Sequence, residues 1–322
     1  MDTNRTMLYR AAKAGLRVVA LAVVALAAQS ALAAPPGAEY VGEKTCIKCH
    51  DFEAAHFEHT AHAKAFRLNP RNERESRVCE ACHGPGSLHT PRGEHKKREY
   101  ITGFTREWGT PVEEQNAVCL SCHEGGQRLH WSGSAHDAQK LACTDCHNAM
   151  GRFSARGLLK KASISETCIT CHAQQRSEFG KRSHMPVLEG KMSCEDCHSA
   201  HGSPTAPLLK ADSVNEVCYR CHAETRGPML WEHAPVRENC SNCHVPHGSN
   251  HDKLLVAARP FLCQQCHNTP AGHTSTFYNA SGTAAAALAG GAATPRIIGR
   301  SCQNCHSQVH GSNHPSGARF QR

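Results

Sequence analysis

Aromatic side chains are scarce in this sequence: Phe, Trp and Tyr together make up 5% of its 322 residues. With so few large apolar rings, side chains alone cannot build a core of ordinary size. Beyond residue 33 no apolar run approaches the roughly 20 residues that a membrane-spanning helix needs, and long amphipathic stripes are also missing. No cysteine stands outside a Cys-x-x-Cys-His unit, so none is left over for a separate disulfide framework. None lies near the end of the N-terminal apolar segment either, which excludes a lipid anchor there.

What the chain does have is 20 cysteines in ten such units. They are Cys46 and Cys49 with His50, Cys79 and Cys82 with His83, Cys119 and Cys122 with His123, and Cys143 and Cys146 with His147. There follow Cys168 and Cys171 with His172, Cys194 and Cys197 with His198, and Cys218 and Cys221 with His222. The last three are Cys240 and Cys243 with His244, Cys263 and Cys266 with His267, and Cys302 and Cys305 with His306. Two thiols three positions apart can form thioethers with the two vinyl groups on one porphyrin edge. The adjacent His then lies under the ring and offers a nitrogen to the iron. Disulfides place no demand on the residue after the second Cys, and zinc needs a second pair or a spaced His pair per metal. The pattern predicts ten covalent c-type hemes (heme c), with the ten His as proximal ligands.

Arg5, Arg10, Lys13 and Arg17 precede an apolar run, Val18 to Ala33, which ends in Ala31-Leu32-Ala33. This reads as a secretory signal peptide over residues 1–33, with a water-soluble mature chain beginning near Ala34. Export fits thioether attachment of heme, which takes place outside the cytoplasm in such bacteria. The formal charge of +8 falls to near +5 once the four basic residues and Asp2 of that segment are removed. Ten hemes bring twenty propionates, so the basic balance is no sign of a nucleic-acid partner.

At about 29 residues per heme, the polypeptide is too short to wrap each porphyrin separately. The hemes themselves must form the core. The expected fold is mainly α with extensive loops and essentially no sheet, an elongated heme-stacked array. Residues 34–185 are expected to carry hemes 1–5 and residues 186–322 hemes 6–10. The run 84–116 reads as a solvated surface loop, and 280–294 as a low-complexity insertion.

The ten units form five pairs. The middle pairs recur at 49, 50 and 45 residues, measured from Cys119, Cys168, Cys218 and Cys263, which implies a linear array. The repeat selects further ligand candidates. After the first unit of each pair come His62, His136, His184, His233 and, sooner, His273. After the second come His89, Met150, His201, His247 and His310. His201 is only three residues from His198, too close for both to reach one iron without passing around the porphyrin edge. The close candidate is therefore expected to serve a neighbouring heme. His56, His59, His95, His130 and His251 read as surface or propionate-contacting residues, and His314 stays undecided. Met150 is open between a ligand, a packing residue, and replacement by His130 or an external ligand.

The run Gly227 to Val236 (GPMLWEHAPV), Cys263-Gln264-Gln265-Cys266-His267 and Ser301 to Gly317 (SCQNCHSQVHGSNHPSG) carry a resemblance. The chain resembles the decaheme cytochromes of the MtrA, PioA and DmsE type, over nearly all of the mature sequence. The resemblance implies a periplasmic cytochrome associated with the outer membrane, seated in a porin-like β-barrel partner. It would pass electrons across that membrane for extracellular metal or iron chemistry or dimethyl sulfoxide respiration. Implied redox partners are periplasmic or inner-membrane cytochromes on one side and an extracellular cytochrome or terminal reductase on the other. Met150 departs from the family pattern, where a His is expected. The alternatives are a soluble periplasmic shuttle feeding a reductase, and a multiheme reductase such as one acting on nitrite. A reductase needs an iron with an open face, often marked by a unit ending in Lys, and none is present. The chain is therefore read as an electron-transfer protein, not an enzyme.

Overall fold

The computed structural model describes residues 35–90, 100–267, 301–315 and 317–320. Residues 1–33, His95, His273 and the stretch 280–294 lie outside the described residues. Among the described residues, regular structure is helical and short. The helices of six residues or more are α1 (Asp51–Phe57), α2 (Ala61–Leu68), α3 (Val112–His123), α4 (Ile164–Ile169), α5 (Ala173–Phe179) and α6 (Val214–Tyr219). No sheet forms; the extended pairings are isolated bridges. No helix of the described residues is long and apolar enough to cross a membrane. The protein is mainly α with long loops.

Helices this short are not stable alone and depend on what they pack against. Caps fix their starts. Thr60, fully buried, accepts the Ala63 amide at the head of α2, and Ser213 accepts the Glu216 amide at the head of α6. Helices α1 and α5 begin at the closing His of a unit, His50 and His172, and each ends in a buried aromatic, Phe57 and Phe179. The one apolar cluster of described residues is small, with Phe57, Ala63 and Val78 at its centre and Phe66, Cys79 and Met150 against it. Elsewhere buried apolar residues are scattered.

The described residues fall into two compact units that divide between Ser163 and Ile164. The first carries the units that begin at Cys46, Cys79, Cys119 and Cys143. The second carries those that begin at Cys168, Cys194, Cys218, Cys240, Cys263 and Cys302.

The described part of the run 84–116 is solvated only in part: Thr105 to Glu107 are exposed, but Gln115 and Asn116 are buried in α3. Thr102 turns its carbonyl onto His83, and the Trp108 indole donates to the Ile101 carbonyl at 3.0 Å. Trp108 lies flat over Gly103, where a Cβ would stand 1.9 Å from its ring, so only glycine fits.

Candidate heme sites

Each Cys-x-x-Cys-His unit winds into one helical turn. The amide of the closing His donates to the carbonyl of the first Cys in nine units outside α3, from His50 to Cys46 at 3.1 Å to His306 to Cys302 at 2.9 Å. One turn puts both sulfurs and the imidazole on the same side of the backbone, as one porphyrin edge and its iron require. No cysteine is in a disulfide.

The five pairs are physical objects. The first cysteines of paired units interact directly: Cys46 with Cys79, Cys119 with Cys143, Cys168 with Cys194, Cys218 with Cys240, and Cys263 with Cys302. Successive pairs approach through their second cysteines, where Cys122 lies close enough to Cys82, Cys221 to Cys197 and Cys266 to Cys243 to help hold those thiols protonated.

Two buried asparagines lock paired units together. Asn215, three residues before Cys218, accepts the Cys240 amide at 2.7 Å and donates to the carbonyls of Val236 and Arg237. Asn116, three before Cys119, accepts the Cys143 amide at 2.8 Å and donates to Leu141. Sequence reasoning missed both, although Asn at the same offset from two units was a readable signal.

The second unit of every pair aims its imidazole in the same way. Nδ1 donates to a backbone carbonyl: His83 to Thr102 at 2.8 Å, His147 to Gly157 at 2.6 Å, His198 to Pro207 at 2.9 Å, His244 to Lys253 at 2.9 Å and His306 to Arg319 at 2.5 Å. Such a bond fixes the tautomer and leaves Nε2 for the metal. In the last four, the residue after the acceptor has a positive φ: Leu158 (49°), Leu208 (59°), Leu254 (59°) and Phe320 (53°). A left-handed Leu or Phe costs on the order of 1–2 kcal/mol. The strain is offset by the turn it makes, which closes antiparallel bridges from His147 to Leu159, His198 to Leu209 and His244 to Leu255. First units use carboxylates instead where partners are seen. Glu53 stands 3.6 Å from His50 Nδ1, and Glu224 3.3 Å from His222 Nδ1.

The candidate second ligands meet these histidines across the repeat. Two imidazoles held about 2 Å either side of one iron have ring centroids roughly 6 Å apart. The structure brings His50 to His89 at 6.3 Å, His198 to His247 at 6.1 Å, His233 to His267 at 6.1 Å and His244 to His310 at 6.2 Å. His62 meets His123 at 5.7 Å, with their Nε2 atoms 3.4 Å apart. Each pairing joins residues from different units. Burial holds His62, His83, His123, His247 and His310 below the ordinary imidazole range, so they stay neutral and keep a lone pair for iron. The donor set fits heme c.

Other candidates stand differently. His184 donates from Nδ1 to the Lys181 carbonyl, and its Nε2 pairs with Glu189 at 2.9 Å, which raises its pKa. The structure does not bring it onto a proximal His. His136 lies half-buried in the short helix Ala135–Ala138, and His201 is half-buried after the turn closed by His198. Met150 sits against the Phe57 cluster.

These turns, sulfur pairs and facing imidazoles define a multiheme c-type cytochrome with covalent heme c, whose work is electron transfer. Residues 184–227 and 233–272 match the doubled CXXCH motif family, and residues 79–164 the family described as cytochrome c-type protein NrfB-like. The multiheme cytochrome MtrA of Shewanella baltica (strain OS185) is 42% identical over 76% of this chain and 70% of its own. The cytochrome c-type protein NrfB of Escherichia coli O6:H1 is 30% identical over 42% of this chain and 68% of its own. That of Haemophilus influenzae is 26% identical over 46% and 72%. The chain belongs to the MtrA family of multiheme cytochromes.

Proposed function

We propose that this chain is an exported decaheme cytochrome of the periplasm that carries electrons across the outer membrane inside a β-barrel partner. The observation that carries the reading is the unbroken adjacency of attachment cysteines within each compact unit. It alternates between first-cysteine contacts inside a pair and second-cysteine approaches between pairs. Bound heme supplies one-electron chemistry at each station. The chain's own residues do the rest: sulfurs fix each porphyrin edge, Nδ1 bonds aim the imidazoles, and facing histidines leave no open coordination site at the irons they flank. Low-spin irons with two fixed ligands change geometry little between oxidation states, which suits transfer and disfavours substrate binding. Export is supported by the 1–33 segment, and a polar barrel lumen suits a chain whose described residues hold no helix long and apolar enough to span a membrane.

The test uses liposomes with a redox dye inside. The barrel partner alone should leave the dye unchanged when reductant is added outside, and barrel plus cytochrome should reduce it. If the cytochrome leaves the dye untouched yet exchanges electrons with soluble partners, it is a periplasmic shuttle.

A further inference from the structure

We propose that Met150 is the sixth ligand of the iron held by His83, which gives the heme on Cys79 and Cys82 a His–Met site among bis-His neighbours. The inference rests on reading the ten units as heme sites, which intact mass tests separately. It comes from register.

In the later pairs the close candidate serves the second unit of the preceding pair. His247 faces His198, and His310 faces His244. Each of these is followed by a glycine that the backbone needs. At Gly248 a Cβ would stand 1.9 Å from the Glu178 carbonyl, and at Gly311 2.6 Å from Met229 Cγ. Met150-Gly151 occupies the same sequence position, three residues after His147 as His247 is three after His244, although Gly151 does not share the positive φ of Gly248 and Gly311.

The surroundings match as well. His247 packs edge-on against Phe179 at 5.5 Å, the buried aromatic that ends α5, seven residues after the closing His172. The equivalent aromatic two pairs earlier is Phe57, seven residues after His50 and the end of α1. Met150 packs against the cluster of Phe57, Ala63 and Val78, with Cys79 in the same cluster. Cys79 anchors the heme in question, and Val78 directly precedes it. Met150 thus stands to Phe57 and Cys79 as His247 stands to Phe179 and the unit of His198. His83, half-buried and aimed by Thr102, is the imidazole that register places opposite.

A thioether sulfur binds iron less strongly as a donor than imidazole and stabilises the ferrous state, so this heme takes a higher potential than its neighbours. Placed second in the row, it is a resting place for an electron that enters or leaves at that end. Sequence alone left Met150 open; the shared packing supplies the iron it serves.

The test uses the purified holo-protein. Wild type should show the weak far-red charge-transfer band of ferric iron–sulfur ligation. Met150→His should abolish the band and lower the highest potential in a spectroelectrochemical titration, with the heme count by mass unchanged. Met150→Leu should create one site that binds carbon monoxide. His83→Gly should remove the band whether or not that heme is still attached, and His147→Gly should leave it. The proposal is overturned if wild type lacks the band, if the band survives Met150→His, or if it is lost with His147 rather than His83.

Discussion

The imidazole of His247 stands 6.1 Å from that of His198, tilted by 36°, although each belongs to a different pair of units. A backbone bridge seats the loop that presents it, with Ser249 and Ser183 exchanging amide-to-carbonyl bonds at 2.7 and 2.9 Å. Glu178 accepts a hydrogen bond from His247 Nδ1 at 3.3 Å. His247 is therefore held by the pair before it, not by its own.

Replacing His247 should injure the heme on Cys194 and Cys197 and spare the one on Cys240 and Cys243, whose His244 lies three residues from the substitution. In His247→Ala one low-spin iron should become high-spin in the electron paramagnetic resonance spectrum, and one carbon monoxide should bind per molecule. A structure of the variant should show the missing ligand opposite His198. Loss opposite His244 would refute the cross-pair arrangement.

Ten covalent hemes are expected from ten units. Intact mass of the exported protein should show ten heme additions to a chain that starts near Ala34. Eight or fewer in fully matured material would be incompatible with it.

Asn215 carries three bonds in a buried position. Asn215→Ala removes them and leaves the Cys240 amide without its acceptor. A cost of about 2–3 kcal/mol is expected, read as a lower guanidinium midpoint of the holo-protein. Asn215→Asp should not restore it, because the carboxylate has no amide hydrogens for Val236 and Arg237. The exposed Asn250→Ala should change little.

Glu224 accepts from His222 Nδ1, which makes that imidazole a stronger donor to ferric iron. Glu224→Gln should raise the potential of one heme, by tens of millivolts as an order of magnitude. Both side chains are more than half exposed, so the shift should shrink as salt is added. A redox titration at low and high ionic strength reads both effects. An unchanged titration at low salt would show that the carboxylate does not tune the iron.

The attachment chemistry was legible because it is local. Cys46 to His50 is one helical turn whatever surrounds it, and a spacing of three and four residues states its geometry in one dimension. The spacing also told that His201 and His247 should serve a neighbouring heme, since sharing an iron with the His three residues before them would take the chain around the porphyrin edge. The carbonyls that aim the second-unit histidines were not legible. Pro207 and Lys253 share no side-chain chemistry; what they share is the left-handed residue that follows, and Leu208 and Leu254 are residues that propensity places elsewhere. The same applies to residues 100–111, read as a surface loop from their turn-forming composition, whose Thr102 carbonyl is the one that holds His83.

Exchange of histidines between pairs has a consequence for how such a chain can change length. Pair one lends His62 forward to His123, and pair four lends His233 forward to His267, while His247 and His310 reach backward. Pair four lends one ligand each way, His233 forward and His247 backward, and takes His310 from pair five. Duplicating a whole pair copies together the ligands it lends and the histidines that receive them. Cutting out a single unit strands one iron ahead of the break and another behind it. Descendants of this chain are thus expected to gain or lose hemes by twos.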